Sequence, residues 1–319
     1  MSQSTFDADF APTPSTPSDA LNLTAFDGDG DMPTMFYCWA CLGGLDGDLN
    51  NVPILTSAGV AWRNPGDGFT AWNPDASVQM IDSGGYQAAT RWNGAERGIR
   101  GVESTEPSIG ERGTTCRFPY TTRELHEWAD TVDADFVAGM DVACEEASEL
   151  IEMGYDDYGY LNPGRYEERL MESIDNQVRQ RDHFEQHDYD HKLMPVVQGN
   201  TLDDYDQFIQ WMVEEDLDKY EKIGLGTVCK RSDTDEIFDV IQLVRDYFPK
   251  KRLHLFGATL RLWKETRFHG LFESSDTAAW QWGAKNKSHH KELLTEYQDK
   301  IENAVGELEG KKVSRVDEF

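Results

Sequence analysis

The chain has 319 residues, of which 59 are acidic and 30 are basic, so its formal net charge at pH 7 is -29. Hydrophobic residues make up 39% of it, which allows one large α/β barrel or two ordinary domains. Phosphate contacts depend on positive charge and weaken steeply with salt, which argues against nucleic-acid binding through overall charge alone. The sequence has no run of about 18 apolar residues, so a membrane-spanning helix is not expected.

The acidic residues are spread along the chain rather than gathered in a tail. Such a charge repels itself and destabilises the compact state, and concentrated salt screens this repulsion. We therefore interpret the composition as halophilic, with an ordinary acidic protein as the alternative. The expected location is the cytoplasm of a halophilic archaeal cell.

The five cysteines fit this location, because their number is odd and no secretory signal precedes them. Two of them, Cys38 and Cys41, form a CxxC pair inside an apolar run. We interpret this pair as buried strand cysteines rather than a redox or metal site, since free cysteine is among the most buried residue types.

The predicted elements alternate between strand and helix after residues 1–32, which are rich in Ser, Thr, Pro, Asp and Gly and are predicted to be a flexible acidic segment. The predicted strands are residues 36–41, 52–55, 78–81, 135–140, 193–197, 220–225, 253–256 and 269–273. The predicted helices are residues 121–131, 163–187, 203–215, 234–247, 259–266 and 289–308. The stretch 90–119 lacks periodicity and suits an active-site loop.

Polar or glycine-rich points come at or after the ends of several predicted strands. These points are Asp82, Asp141, Gln198, Gly226 and Asp276. A parallel barrel gathers the carboxyl ends of its strands on one face, whereas an open doubly wound sheet would spread them along an edge. No G-x-G-x-x-G follows the first strand, which also disfavours a dinucleotide fold. The sequence therefore predicts a TIM-type (β/α)8 barrel over residues 33–319, with irregular insertions and a C-terminal helix.

The hexapeptide Asp82-Ser83-Gly84-Gly85-Tyr86-Gln87 is the most informative motif. Taken alone, it reads most simply as a tight turn with a capping aspartate. It is followed in order by Val137-Ala-Gly-Met-Asp141, Pro195-Val-Val-Gln-Gly199 and Ser274-Ser275-Asp276. With these segments the chain resembles the tRNA-guanine transglycosylase superfamily over about residues 35–285.

Three further segments resemble the DpdA-like DNA-guanine transglycosylases within that superfamily: residues 224–231, 253–257 and 274–280. The tRNA enzymes usually carry a structural zinc site, but no cysteine follows Cys229 here. The resemblance therefore implies no zinc subdomain and no metal. It favours DNA over tRNA, also because little chain remains for an RNA-binding domain. A viral or mobile-element origin is what this branch implies.

The resemblance also implies roles for individual residues. Asp276 would be the nucleophile and Asp82 the general acid/base, although Asp276 alone would read as a helix N-cap. The expected substrate-binding residues are Ser83, Gly84, Tyr86, Gln87, Asp141, Gln198, Gly199, Gly224 and Gly226. The expected nucleic-acid-binding residues are Arg91, Arg97, Arg100, Lys230, Arg231 and Lys285, with unpartnered surface cations as the alternative for each.

The expected function is that of a pentosyltransferase that replaces guanine in DNA by a preQ0- or preQ1-like 7-deazaguanine through a covalent aspartyl-glycosyl intermediate. The expected partners are DNA and the free base, without a cofactor or a membrane, and the sequence leaves a homodimer open. The alternatives are the same chemistry on tRNA and a non-catalytic barrel subunit. A metal-dependent hydrolase barrel lacks support, because no H-x-H pair stands at a strand end.

Overall fold

The computed structural model describes residues 34–39, 52–64, 67–70, 76–85, 118, 120–144, 166–229, 231–258, 260–281, 289 and 292–304. The predicted N-terminal segment 1–32 and all of the predicted loop 90–119 except Phe118 lie outside the described residues. The division of the chain at residue 32 therefore stays a prediction. In the described part of the chain, no helix is both long enough and apolar enough to cross a membrane.

Eleven strands are described. They are β1 Thr34–Trp39, β2 Pro53–Ser57, β3 Trp62–Asn64, β4 Gly68–Phe69, β5 Val78–Asp82, β6 Phe136–Ala138, β7 Lys192–Met194, β8 Val196–Val197, β9 Lys222–Leu225, β10 Arg252–Leu255 and β11 Ser274–Thr277. The α-helices are α1 Ala58–Ala61, α2 Thr122–Thr131, α3 Tyr166–Glu185, α4 Leu202–Glu214, α5 Thr234–Tyr247 and α6 Leu260–Trp263. Short 3-10 helices span Leu217–Lys219, Thr266–Phe268 and Ala279–Gln281, and residues 289 and 292–304 are also helical.

Nine strands form one sheet in the order β7-β6-β5-β2-β1-β11-β10-β9-β8, and every pairing in it is parallel. The two outermost strands, β7 and β8, are consecutive in the chain and separated only by Pro195. The chain itself therefore closes the sheet into a ring. Strands β3 and β4 pair separately as a small antiparallel hairpin. The predicted TIM-type barrel is confirmed.

Pro195 explains why one of the eight barrel strands is split. Proline has no backbone N–H and cannot donate to a ladder, but its carbonyl still accepts. The Met194 carbonyl accepts from Gly139 N on one side, and the Pro195 carbonyl accepts from Gly224 N on the other, both at 2.8 Å. The segment 192–197 thus bonds to β6 with its first half and to β9 with its second half.

The interior of the barrel is filled by side chains that alternate along the strands. A buried cluster joins seven of them from β1, β2, β5, β6 and the two halves of the split strand, β7 and β8. They are Phe36, Leu55, Met80, Phe136, Ala138, Met194 and Val196. Because successive strand residues point to opposite faces, Cys38 and Asp82 lie on the same inner face as Phe36 and Met80. The same alternation brings His254 and Asp276 inward, so the polar inner residues cap an apolar interior.

One predicted strand is wrong. Residues 269–273 do not form a strand; the last barrel strand is Ser274–Thr277, so Asp276 lies within it rather than after it. The sequence pattern did not predict this strand because its residues are hydroxyl-bearing and acidic rather than apolar. Its side chains are nevertheless buried and bonded: Ser274 Oγ lies 2.9 Å from His254 Nδ1, and Ser275 Oγ accepts from Trp263 Nε1 at 3.0 Å. The predicted helix 259–266 is also shorter, ending at Trp263.

The outer faces of helices α4 and α5 carry exposed carboxylates, whereas their inner faces are buried and apolar. The exposed acids on these two helices are Asp203, Glu214, Asp235, Glu236, Asp239 and Asp246. This arrangement follows from amphipathic sequence patterns, in which one stripe packs on the sheet and the other faces water. The barrel thus presents negative charge along these helices.

We expect the melting temperature to rise by several degrees when KCl is increased from about 0.1 M to about 2 M, because salt screens the repulsion among surface carboxylates. Thermal unfolding followed by circular dichroism measures this change. A variant in which the exposed neighbours Asp203, Asp239 and Asp246 are each replaced by Asn should gain less from salt than the unchanged chain. An equal gain in both proteins would contradict the explanation.

Candidate active site

Three carboxylates stand at the carboxyl-terminal end of the barrel, of which Asp141 and Asp276 are buried and Asp82 is half-buried. Asp82 is the last residue of β5, Asp141 follows β6 by three residues, and Asp276 lies in β11. Asp82 interacts electrostatically with both Asp141 and Asp276. The fold therefore brings together the three aspartates that the sequence predicted as site residues.

Asp276 is held by three groups, one from β1 and two from β10 and the turn that follows it. The backbone N–H of Gly257 donates to its Oδ1 at 2.7 Å, and His254 Nε2 lies 3.3 Å from the same oxygen. The thiol of Cys38 donates to Oδ2 at 2.8 Å. The residue is only 5% exposed, so these contacts fix its orientation in the barrel mouth.

The two side-chain partners of Asp276 are held in neutral forms. Burial raises the pKa of the Cys38 thiol well above its ordinary value, and the charge of Asp276 raises it further, so the thiol keeps the proton that it donates. Burial lowers the pKa of His254. A neutral imidazole can donate from Nε2 to Asp276 while Nδ1 accepts from the Ser274 hydroxyl.

Asp82 is a carboxyl group that holds its proton more tightly than usual. Burial raises its pKa to about 6, and the nearby charge of Asp276 also raises it. Hydrogen bonds from the Ser57 side chain and the Gly84 backbone act in the opposite direction. A carboxyl group with a pKa near the working pH can both donate and accept a proton, as a general acid/base must.

Asp141 begins a second set of polar contacts. Burial raises its pKa to about 7, with a further contribution from the charge of Asp82. Ser83 Oγ donates to its Oδ1 at 2.9 Å, and Gln198 Nε2 donates to its Oδ2. Gln198 Oε1 in turn accepts from the hydroxyl of Thr227. These side chains form a connected hydrogen-bond network beside Asp82 and Asp276.

The predicted site glycines provide close approach between elements. Gly84 has φ +84, and a Cβ there would lie 2.7 Å from Gly59 N, so only glycine fits at this turn. A Cβ at Gly226 would meet the Gln198 amide. Gly224 packs under the Phe256 ring and Gly199 against the Tyr205 ring, which gives both of them a packing role.

Five of the six predicted nucleic-acid-binding residues lie outside the described residues: Arg91, Arg97, Arg100, Lys230 and Lys285. The predicted substrate-binding residues Tyr86 and Gln87 lie outside them as well. Arg231 is described: its Nε and Nη2 donate to the carbonyls of Thr227 and Asn200, and its Nη1 pairs with Glu236. These contacts give Arg231 a structural role in holding the two loops together. Its predicted role in nucleic-acid binding stays a prediction.

Sequence reasoning missed the roles of Cys38, His254 and Thr227. Alternation with Phe36 could have placed Cys38 inside the barrel, but its partner Asp276 comes from the other end of the chain. His254 lies within a segment already singled out, yet its contact with Asp276 depends on strand pairing. Among the described residues, no group of three or more His, Cys, Asp or Glu side chains is arranged to hold a metal ion.

We expect Asp82→Asn to raise the melting temperature by a few degrees at pH 8 and by much less at pH 4. The native pKa of Asp82 is about 6, above the ordinary value of 3.8, so its contribution to stability is lost as pH rises from about 3.8 through about 6. Removing the charge relieves a cost that is complete at pH 8 and nearly absent at pH 4. Thermal unfolding at both pH values measures this, with exposed Asp239→Asn as the control. An equal shift at both pH values would contradict the buried-charge explanation.

Comparison with known proteins gives one family. No curated protein sequence matches the chain. A family model matches residues 164–292, which include Gln198, Thr227, His254 and Asp276. The description of that family is DpdA, DeoxyPurine in DNA protein A. The resemblance predicted from the motifs is confirmed: over residues 164–292 the chain is similar to the DpdA family.

Proposed function

We propose that this protein is a transglycosylase that replaces guanine in DNA by a 7-deazaguanine through a covalent aspartyl-glycosyl intermediate. The similarity to the DpdA family supports a DNA-guanine transglycosylase type of function. The observation that carries the proposal is the pair Asp276 and Asp82, a buried and a half-buried carboxylate that interact at the mouth of one barrel. One has the environment of an oriented nucleophile, and the other that of a proton carrier.

The first half of the reaction breaks the glycosidic bond. A carboxylate oxygen of Asp276 attacks C1′ of the deoxyribose, and the electron pair of the C1′–N9 bond leaves with the guanine. Asp82 gives its proton to the departing base, which avoids expelling a free anion. A covalent glycosyl-aspartate and free guanine result, as in the first step of retaining glycosidases.

The second half reverses these roles with a new base. Asp82, now ionised, takes the N9 proton of the incoming 7-deazaguanine, and N9 attacks C1′ while the bond to Asp276 breaks. The carboxylate of Asp276 is regenerated and Asp82 again holds a proton. Asp141 and Gln198 bind the base edge in this scheme, because a carboxylate accepts from N1–H and the exocyclic amine. The target nucleotide must leave the duplex stack for this contact.

The decisive experiment measures base exchange directly. The full chain is incubated in concentrated KCl with labelled 7-cyano- or 7-aminomethyl-7-deazaguanine and either guanine-containing duplex DNA or tRNA. We expect nucleoside mass spectrometry to find the deazaguanine in DNA. Label entering only tRNA would replace the DNA proposal by the tRNA alternative, and label entering neither would favour a non-catalytic barrel.

A halophilic or viral origin and a homodimer remain predictions.

Variants at the two aspartates test the assigned roles. With DNA but no incoming base, we expect a protein–DNA adduct that survives denaturation, and Asp276→Asn should abolish it. Asp82→Asn should slow exchange by about 10²–10⁴-fold, the usual contribution of general acid–base catalysis. Adducts are measured by denaturing electrophoresis, and exchange is measured by the rate at which the labelled deazaguanine enters DNA.

Asp239→Asn on the outer face of α5 is the matched control and should keep full activity. If Asp276→Asn still formed the adduct, the nucleophile would have to be reassigned. If Asp82→Asn exchanged bases at the normal rate, another group would move the proton.

A further inference from the structure

The orientation of the Gln198 amide is set by a hydrogen-bond chain that runs in one direction. The backbone N–H of Cys144 lies 3.4 Å from Thr227 Oγ1, and a backbone N–H can only donate. Thr227 uses its own hydroxyl proton on Gln198 Oε1. The amide oxygen of Gln198 is thereby occupied, so its Nε2 faces Asp141 Oδ2.

The opposite orientation of this amide is disfavoured at both ends. It would place Oε1 against Asp141, where two acceptors would meet whenever that carboxyl is ionised. It would also leave the Thr227 hydroxyl without the oxygen to which it donates. Because Gln198 is only 2% exposed, water does not compensate either loss.

Thr227 has a backbone conformation that a threonine rarely adopts. Its φ of 55 lies in the left-handed region, where a β-branched residue is strained and a glycine is not. Surrounding contacts hold the loop in place: Tyr205 Oη donates to the Gly226 carbonyl at 2.9 Å, and Arg231 Nε donates to the Thr227 carbonyl at 3.1 Å. Such strain persists where the surroundings fix it and is concentrated at functional sites. The residue at this strained position is the one whose hydroxyl donates to Gln198 and orients its amide.

The fixed amide determines which group the site can offer to a base. One N–H of Gln198 Nε2 bonds to Asp141, so the second N–H is the donor that this amide has left to offer a base. A donor at this position complements the C6 carbonyl of a guanine-type base. A base with an amino group at C6 would bring its own N–H toward that donor, which leaves a buried polar group unpaired.

We propose that Thr227 is a specificity-determining positioning residue: by locking the Gln198 amide, it makes the site select purines with a carbonyl at C6 over purines with an amine there. This inference rests on the proposed function and names the feature of the base that the site reads. Thr227 acts through Gln198 and need not touch the base.

The test compares three substitutions at one position. Thr227→Val keeps the branched shape and the strained backbone but removes the hydroxyl. Thr227→Ser keeps the hydroxyl, and Thr227→Gly removes both the hydroxyl and the strain. Base exchange into DNA is measured with guanine and with 2,6-diaminopurine, which share the amino group at C2 and differ at C6 and in the N1 proton. The N1 difference is the same for every Thr227 variant, so a change in preference between variants reports on the Gln198 amide. The readout is the ratio of kcat/KM values for the two bases, together with kcat and KM separately.

We expect Val and Gly to reduce the guanine preference by about tenfold or more, the usual effect of losing one buried hydrogen bond. The loss should appear mainly in KM for guanine. Ser should keep the preference within about threefold. The same preference in Val or Gly as in the unchanged chain would overturn the inference, and so would an equal loss in Ser. If Val failed to fold, the comparison of Gly with Ser would still decide, because Gly suits the left-handed backbone.

Direct binding of the two free bases, measured by calorimetry without nucleic acid, separates this inference from the proposed function. A guanine preference that depends on the Thr227 hydroxyl, found in a protein that exchanges no base, would leave the inference standing and remove the proposed function. Base exchange with a preference that ignores the Thr227 hydroxyl would do the reverse.

Discussion

Mutual repulsion among neighbouring, poorly hydrated carboxylates is the constraint on which the rest of the site depends. Asp141 and Asp276 are buried, Asp82 beside them is half-buried, and this combination opposes ionisation of all three at once. A fold that tolerates this arrangement must supply donors from a rigid frame. The closed parallel barrel does so, because the donors come from neighbouring strand ends whose positions the ladder fixes.

The donors differ from one aspartate to the next, and this difference separates their chemistry. Asp276 receives a backbone N–H and a thiol, and it also contacts a neutral imidazole. Burial dominates at Asp82 and leaves it able to exchange a proton near neutral pH. Neighbouring titratable groups whose environments differ in this way are the usual basis for assigning acid, base and nucleophile. The thiol of Cys38 contributes as a weak donor that orients an oxygen and carries no charge of its own.

Sequence patterns were sufficient for the barrel and for the positions of Asp82, Asp141 and Gln198, because each follows a short apolar run whose end is easily read. They failed at Ser274–Thr277, where a buried strand is built from hydroxyl and carboxyl groups that pair with His254 and Trp263. They also could not reveal that Cys38 binds Asp276 or that Thr227 binds Gln198. Those contacts depend on strand register and on a left-handed residue, neither of which leaves a periodic signal.

The order of strands around the barrel divides its mouth into two arcs. Strands β6, β8 and β9 are followed by Asp141, Gln198 and Thr227, whereas β10, β11, β1, β2 and β5 carry the groups that surround Asp276 and Asp82. The strand that Pro195 splits into β7 and β8 lies within the first arc. In the proposed function, recognition of the base and breakage of the sugar bond are therefore supported by different parts of the barrel wall. A lineage of such enzymes could alter which base it accepts by changes in one arc while the bond-breaking half stays as it is.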